Sequence, residues 1–424
     1  MTDKITTILK TVFGHDSFRP KQEDVIRGIV SGSDVLAVLP TGAGKSLCFQ
    51  LPALAMDGTT IVISPLISLM KDQVDNARKK GINALYINSD LSTAESRETY
   101  ATLMSGSVKL LYIAPERFAV QKFRDMLPLI KIASIIVDEA HTVDWGYDFR
   151  PSYLKIAEYL KNFTTAPRAA FTASATIETQ EDIIKRFGLR NPQRIRASFN
   201  RPNLHYSVIT KFGEGMGDAY NWIKENNAQR SRGIIYRFTR AKTEQTSELL
   251  TRSGIKCLPY HAGLDPEVKQ ENQDAFVRGD VLCICATIAF GMGIDVPDIR
   301  YVLHADLPKT MEGFYQETGR AGRDGKQSEC VLLYSAGDIR TIKFFIDKSK
   351  DADRKARGER QLAVMRAYAE HDVCRRRQIL AYFGEKYPQE NCGSCDVCKA
   401  GYIKNRFALP NYGKTLFQRR TTYA

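Results

Sequence analysis

Short runs of consecutive apolar residues alternate along this chain with longer amphipathic stretches. In the first half the runs are DVLAVL (34–39), TIVIS (60–64), LLYIA (110–114), IIVD (135–138) and AAFTA (169–173). In the second they are GIIYRF (233–238), VLCICA (281–286), YVLHA (301–305) and CVLLY (330–334). Apolar runs of this length, with little polar alternation, are strands buried on both faces, and helix-length segments between them predict parallel α/β sheets. The stretch SFNRPNLHY (198–206), rich in Asn and Pro, separates the two series and reads as a linker. From about Ile339 the chain turns helical and basic, then cysteine-rich. The pattern predicts an α/β protein with one parallel-sheet lobe over 1–200, a second over 201–340, a small helical module over 341–400 and a basic, aromatic tail over 401–424.

Size and composition agree with several domains. At 424 residues the chain exceeds one ordinary core, and 43% apolar with 26% charged residues is a soluble, globular balance. The longest apolar runs fall short of a membrane span. The N-terminus, MTDKITTILKTVFGHD, lacks the apolar core and cleavage site of a secretory signal, so an intracellular protein is expected, in cytoplasm, nucleoid or nucleus. The net charge of +13 is concentrated late: from Arg340 onward there are 19 Lys/Arg against 9 Asp/Glu. That imbalance favours a polyanionic partner, the alternative being a solvated basic face. Cys48, Cys257, Cys283, Cys285 and Cys330 lie in or beside apolar segments and are expected to pack as small hydrophobes.

Three constellations carry chemistry. After the first strand comes LPTGAGKSLCFQ, where Gly42 and Gly44 permit a turn whose N–H groups face phosphate oxygens. Lys45 then supplies a cation and Ser46 a hydroxyl for magnesium; the strict phosphate-loop pattern would place glycine at position 39, where this chain has Leu39. Strand IIVD delivers Asp138 and Glu139 at its carboxyl end, one to hold the magnesium and one to orient or deprotonate water. Farther on, QETGRAGRDG (316–325) spaces Gln316, Arg320 and Arg323 at i, i+4 and i+7, one helical face if the helix continues through the two glycines. Such arginines act either as fingers on a γ-phosphate or as solvated surface charges.

Cys392, Cys395 and Cys398 follow one another at two-residue gaps, with Cys374 upstream in HDVCRRRQILAYFGE. Four thiolates at this spacing suit structural zinc, and an iron–sulfur cluster is the other four-thiolate reading. Arg375, Arg376 and Arg377 either serve phosphates or screen the metal centre.

Taken in order, these motifs resemble superfamily 2 helicases, and in detail the RecQ family of DNA helicases, over roughly residues 13–400. FGHDSFRPKQ is similar to the family's adenine-reading motif, with His15 at the stacking position and Arg19 and Gln22 at the base. TGAGKS, including Thr41, resembles motif I, SPLISLMKDQ motif Ia, YIAPER motif Ib, DEAH motif II and TASAT motif III. YHAGL with ATIAFGMGID resembles motifs IVa and V, and QETGRAGRDG motif VI. The resemblance implies two RecA-like lobes that bind ATP and magnesium, a zinc module, and 3′-to-5′ movement on single-stranded DNA with unwinding of tailed or forked duplexes in repair and recombination. It assigns Lys45, Asp138, Glu139, Gln316, Arg320 and Arg323 to catalysis, and DNA as the partner of a monomeric enzyme. An RNA helicase, or a DNA-stimulated ATPase and translocase with weak unwinding, is the alternative.

The same resemblance places a DNA-contacting aromatic loop at TVDWGYDFR (142–150), where Trp145 and Phe149 stack on bases or pack the loop, and Arg150 meets a phosphate or a ring. This connector is one residue shorter than is common in the family and has Tyr147 where histidine is usual; motif IV, IIYRFTR (234–240), also departs from the family's form. Only 26 residues follow Cys398, too few for the family's winged-helix domain, with six Lys/Arg, no Asp/Glu and five aromatics. They read either as a nucleic-acid grip or as a disordered basic tail.

Overall fold

Each predicted apolar run forms a strand because its residues have apolar neighbours on both faces of a sheet. The structure, a computed structural model, describes residues 2–65, 67–87, 93–141, 156–160, 165–288, 290–291 and 296–400. The chain divides into two units, Met1–Ser198 and Phe199–Ala424.

In the first unit the strands are β1 (Val35–Val38), β2 (Thr59–Ile63), β3 (Ala84–Ile87), β4 (Leu110–Ile113), β5 (Ile132–Val137), β6 (Arg168–Thr172) and β7 (Gln193–Arg196). They form one sheet in the order β3-β4-β2-β5-β6-β1-β7, with every pairing parallel. β1, β2, β4 and β6 are buried at every position, as continuous apolar runs require. The helix Leu47–Ala55, which follows the phosphate loop, is buried from Leu47 through Ala53, and Phe49 packs edge-on against Tyr112 and Phe171.

The second unit contains β8 (Leu204–Thr210), β9 (Gly233–Tyr236), β10 (Cys257–Tyr260), β11 (Cys283–Ala286), β12 (Tyr301–His304) and β13 (Ser328–Tyr334). Its sheet runs β10-β11-β9-β12-β13-β8, again parallel throughout. Helices Ala336–Asp347, Ala352–Glu370, Arg375–Tyr382 and Asp396–Lys399 follow. Cys48, Cys257, Cys283, Cys285 and Cys330 are all buried, as hydrophobes.

Four strands carry too little apolar length to stand out in the sequence: β3, β7, β8 and β10. ALYI is a four-residue edge strand half-buried at its two middle positions, QRIR is an edge strand with exposed Gln and Arg, and CLPY contains a proline that an outer strand tolerates. β8 begins inside the stretch read as a linker. Phe199 in that stretch is buried, stacks on Phe383 at 4.4 Å and meets Tyr315 at 5.5 Å. The Asn and Pro of SFNRPNLHY therefore mark a packed connection: Arg376 donates to Asn200 Oδ1 and to the carbonyls of Arg201 and Leu204, which replaces water as the partner of these backbone groups.

Asp34 closes the amino end of the first sheet. It is buried and accepts from the backbone N–H groups of Arg168 (2.9 Å) and Arg190 (2.6 Å) and from the Arg190 guanidinium (2.8 and 2.9 Å). Burial pushes its pKa upward, but the hydrogen bonds from Arg190 and Arg168 outweigh that and leave it below the usual carboxylate value. A depressed folded pKa gives stability that is present above the unfolded value and lost as pH falls through the folded one. Asp34→Asn is expected to lower the unfolding free energy by about 2–3 kcal/mol at pH 7, and by less at pH 3. Urea titrations at the two pH values check this; an equal loss at both would mean that the charge is irrelevant.

Candidate nucleotide site and cysteine centre

The parallel order β5-β6-β1 sets three loops side by side at the carboxyl edge of the first sheet. Leaving β1, the chain turns through Gly42 (φ 84°) and Gly44 (φ 78°), conformations that a Cβ disfavours. Gly44 is also a close approach, since an added Cβ would lie 2.5 Å from the Gln22 amide nitrogen. Lys45 follows and donates to Glu139 Oε1 at 3.0 Å, with both side chains less than one-fifth exposed.

Leaving β5, Asp138 continues the sheet by one hydrogen bond, from its N–H to Ile63 O at 2.9 Å, and Glu139 then adopts φ 48°. A non-glycine residue in the left-handed region costs about 1 kcal/mol, and such strain gathers at working sites. Here it is held by the Asp138 carboxylate, which accepts the Glu139 N–H at 2.9 Å, and by the pair with Lys45. Burial, reinforced by the Glu139 charge and opposed by Lys45, raises the Asp138 pKa to about 6. A buried carboxylate beside a second carboxylate is costly to ionise until a cation arrives. With the Ser46 hydroxyl at the start of the next helix, the donor set fits a magnesium ion brought in by a nucleotide.

Leaving β6, Thr172 meets DEAH directly. His141 Nδ1 lies 3.0 Å from Thr172 Oγ1 and 3.4 Å from Glu139 Oε2. The Thr172 hydroxyl donates to Ser174 O at 3.1 Å, so it accepts from His141, and Nδ1 is the protonated ring nitrogen. Burial lowers the His141 pKa to about 4, so the ring is neutral at pH 7. Motifs II and III are thereby one hydrogen-bonded unit, a link that their 30-residue separation in sequence conceals.

Arg19 and Gln22, expected at a base, are both on the phosphate loop. Arg19 donates to Gly42 O, and Gln22 donates to Ala43 O (2.8 Å) and Gly44 O (3.3 Å) while accepting from Arg19 N–H at 2.9 Å. His15 is exposed, and Thr41 is half-buried in the loop. Trp145, Phe149 and Arg150 lie outside the described residues.

In the second unit the QETGRAGRDG stretch departs from the helical face its spacing suggested. The helix Met311–Thr318 ends before Gly319, and turns follow, with Gly322 at φ 55°. Gln316 therefore sits in the last helical turn, and Arg320 and Arg323 on the turns beyond it. The two glycines break the helix because one closes it and the other takes a left-handed conformation. Arg320 is buried, donates to Gly291 O and lies where a Cβ on Gly291 would collide.

The sulfurs of Cys374, Cys392, Cys395 and Cys398 all lie within 4.8 Å of one another, with Cys392 and Cys398 3.9 Å apart. Four sulfurs tetrahedrally placed at the zinc–sulfur bond length of about 2.3 Å would be about 3.8 Å apart, so the cluster fits zinc. Backbone N–H groups aim at the sulfurs as they do at thiolates: Arg377 at Cys374, Arg375 and Cys398 at Cys395, and Cys395 at Cys392 (3.4 Å). Cys374 and Cys395 also occupy helix N-caps, where anionic sulfur is favoured. Two of the three neighbouring arginines are structural. Arg375 is buried against Asp396 (3.0 Å) and the carbonyls of Tyr368 and His371, and Arg376 is buried in the connection described above, so neither is available to phosphates.

Residues 19–183 match the DEAD/DEAH box helicase family, 218–325 the helicase conserved C-terminal domain and 336–399 the RecQ zinc-binding family. The chain is 41% identical over 393 residues to the ATP-dependent DNA helicase RecQ of Haemophilus influenzae, covering 92% of this chain and 63% of that protein. Against the RecQ of Bacillus subtilis it is 42% identical over 401 residues, covering 94% and 67%. Against the ATP-dependent helicase SGS1 of Saccharomyces cerevisiae it is 41% identical over 412 residues, covering 94% and 28%. The chain thus spans less than two thirds of the Haemophilus relative. Among solved structures, the DUF1998 helicase MrfA bound to DNA and AMPPNP is similar at TM-score 0.65 and 18% identity, over 82% of this chain and 53% of that one, a likeness of fold. With paired RecA-like sheets, a four-cysteine module and this identity to the Bacillus protein, the chain belongs to the RecQ family.

Proposed function

We propose that this chain is an ATP-dependent DNA helicase that moves 3′ to 5′ on single-stranded DNA and unwinds tailed or forked duplexes in repair and recombination. The observation that carries the reading is the Lys45–Glu139 pair at 3.0 Å beside the buried Asp138. A half-buried lysine held by one carboxylate, next to a second carboxylate that is costly to ionise, is a site awaiting phosphate and a divalent cation. When the triphosphate enters, Lys45 turns from Glu139 to the phosphates, and Glu139 is released to orient or deprotonate water. Ser46 and Asp138 would hold magnesium, which would supply positive charge at the phosphates. Gly42, Gly44 and Thr41 shape the loop, and Arg19 and Gln22, already fixed on its carbonyls, connect it to the base, with His15 as the stacking ring. Gln316, Arg320 and Arg323 are assigned to charge developing on the transferred phosphoryl group, and Trp145, Phe149 and Arg150 to DNA.

Cys374, Cys392, Cys395 and Cys398 are assigned to one structural zinc; Arg376, in the helix that follows Cys374, ties that helix to the connection at Asn200–Leu204. We place the enzyme inside the cell and read it as a monomer; no helix among the described residues is long and apolar enough to cross a membrane.

Lys45→Ala is expected to reduce ATP turnover at least 100-fold with an unchanged circular dichroism spectrum, and normal turnover would remove the site assignment. Strand displacement should appear on 3′-tailed and forked duplexes and be absent on 5′-tailed ones. DNA should stimulate turnover more than RNA of the same sequence; the reverse order would make the chain an RNA helicase. Cys395→Ser should purify with little zinc, by elemental analysis, and melt at lower temperature, whereas metal-free wild-type protein of full stability would refute structural zinc.

A further inference from the structure

The carboxyl edge of the second sheet carries a cluster of aromatic rings that no core uses. Phe344 is 57% exposed and Phe345 44% exposed on the helix Ala336–Asp347, which follows β13. Phe238, two residues past β9, lies 5.2 Å from Phe345, and Phe344 and Phe345 are 5.6 Å apart, ring centre to ring centre. Ammonium groups lie against these rings: Lys309, which follows β12, is 5.1 Å from Phe238, and Lys348 is 4.3 Å from Phe344. Arg340 and Lys343 are exposed on the same helix, while its nearby acid, Asp347, is paired with Lys355 at 2.7 Å.

The cluster is held rigidly from beneath. Buried Lys211, at the end of β8, donates to Asp338 Oδ1 (2.6 Å), to Asp306 Oδ1 (3.3 Å) and to Ala305 O (2.9 Å). Asp338 forms the capping box of the helix that bears Phe344 and Phe345, and Asp306 accepts the backbone N–H of Phe238 at 2.9 Å. One lysine therefore fixes both halves of the aromatic surface. Exposed apolar rings on a rigid base mark a place where something docks, and the surrounding cations select a polyanion with flat, stackable groups. Single-stranded nucleic acid has both.

We propose that Phe238, Phe344 and Phe345, with Lys309 and Lys348, form a base-stacking platform for single-stranded DNA on the second unit. The proposal rests on the helicase reading above and adds a binding site to it.

Fluorescence anisotropy with labelled oligothymidylate and with an abasic oligomer of equal length tests it on the whole chain. Phe344→Leu with Phe345→Leu should weaken oligothymidylate binding about 5- to 100-fold and leave abasic binding unchanged, while Phe344→Tyr with Phe345→Tyr retains the wild-type affinity. Lys309→Gln with Lys348→Gln should reduce the slope of log affinity against log salt by about 1.4. Equal oligothymidylate affinity in the Leu variant and wild type overturns the platform and leaves the helicase reading standing. So does an equal loss on both probes. A dimer lost in the Leu variant at full DNA affinity, by sedimentation, also overturns it, because the rings would then face a second copy. Wild-type protein that binds neither probe overturns the helicase reading itself.

Discussion

The parallel direction of both sheets is the constraint on which the rest depends. When every strand runs the same way, every strand-to-helix loop emerges at one edge, and residues far apart in sequence are delivered there as neighbours. In the first unit this brings Lys45 within 3.0 Å of Glu139, 94 positions later, and His141 within 3.0 Å of Thr172. In the second it gathers Lys211, Asp306 and Asp338 around one ammonium group. No local preference could assemble these pairs. They exist because buried apolar strands fix a register that leaves their polar ends together.

Both edges concentrate charge that is costly to bury, but they manage it differently. At the nucleotide site the carboxylates are close and incompletely compensated, so Asp138 is raised to about 6 and Glu139 sits in a strained conformation. At the second edge burial also opposes ionisation of Asp306, but Arg237, Lys211, the Phe238 N–H and Lys242 more than offset it and its pKa is lowered. The first arrangement is left incompletely compensated. The second is closed on itself and serves as a foundation. The cysteine cluster belongs with the first kind: its backbone N–H donors and helix N-caps are aimed at sulfur, and a metal completes it.

One residue of motif IV joins the polar network at the second edge. Arg237, in motif IV, is buried, with its guanidinium on Glu214 O and paired with Asp306 at 3.2 Å. It stiffens the loop that carries Phe238. Arg237 thus belongs to the same network as Lys211, Asp306 and Asp338.

The sequence by itself determined the sheet class and marked the candidate chemistry. Lys45, Ser46, Asp138, Glu139 and the four cysteines are legible because their chemistry demands fixed residue types at short spacing, and nine strands are legible because double burial demands continuous apolar runs. Strands β3, β7, β8 and β10 were not, since short or edge strands take their pairing from neighbours. Tertiary structure alone decided that Arg320 and Arg323 leave the helical face their spacing suggested, that Arg375 and Arg376 are internal pins, and that His141 bonds Thr172. Those outcomes turn on where a helix stops and which buried polar group lacks a partner, and both are settled only when distant segments meet.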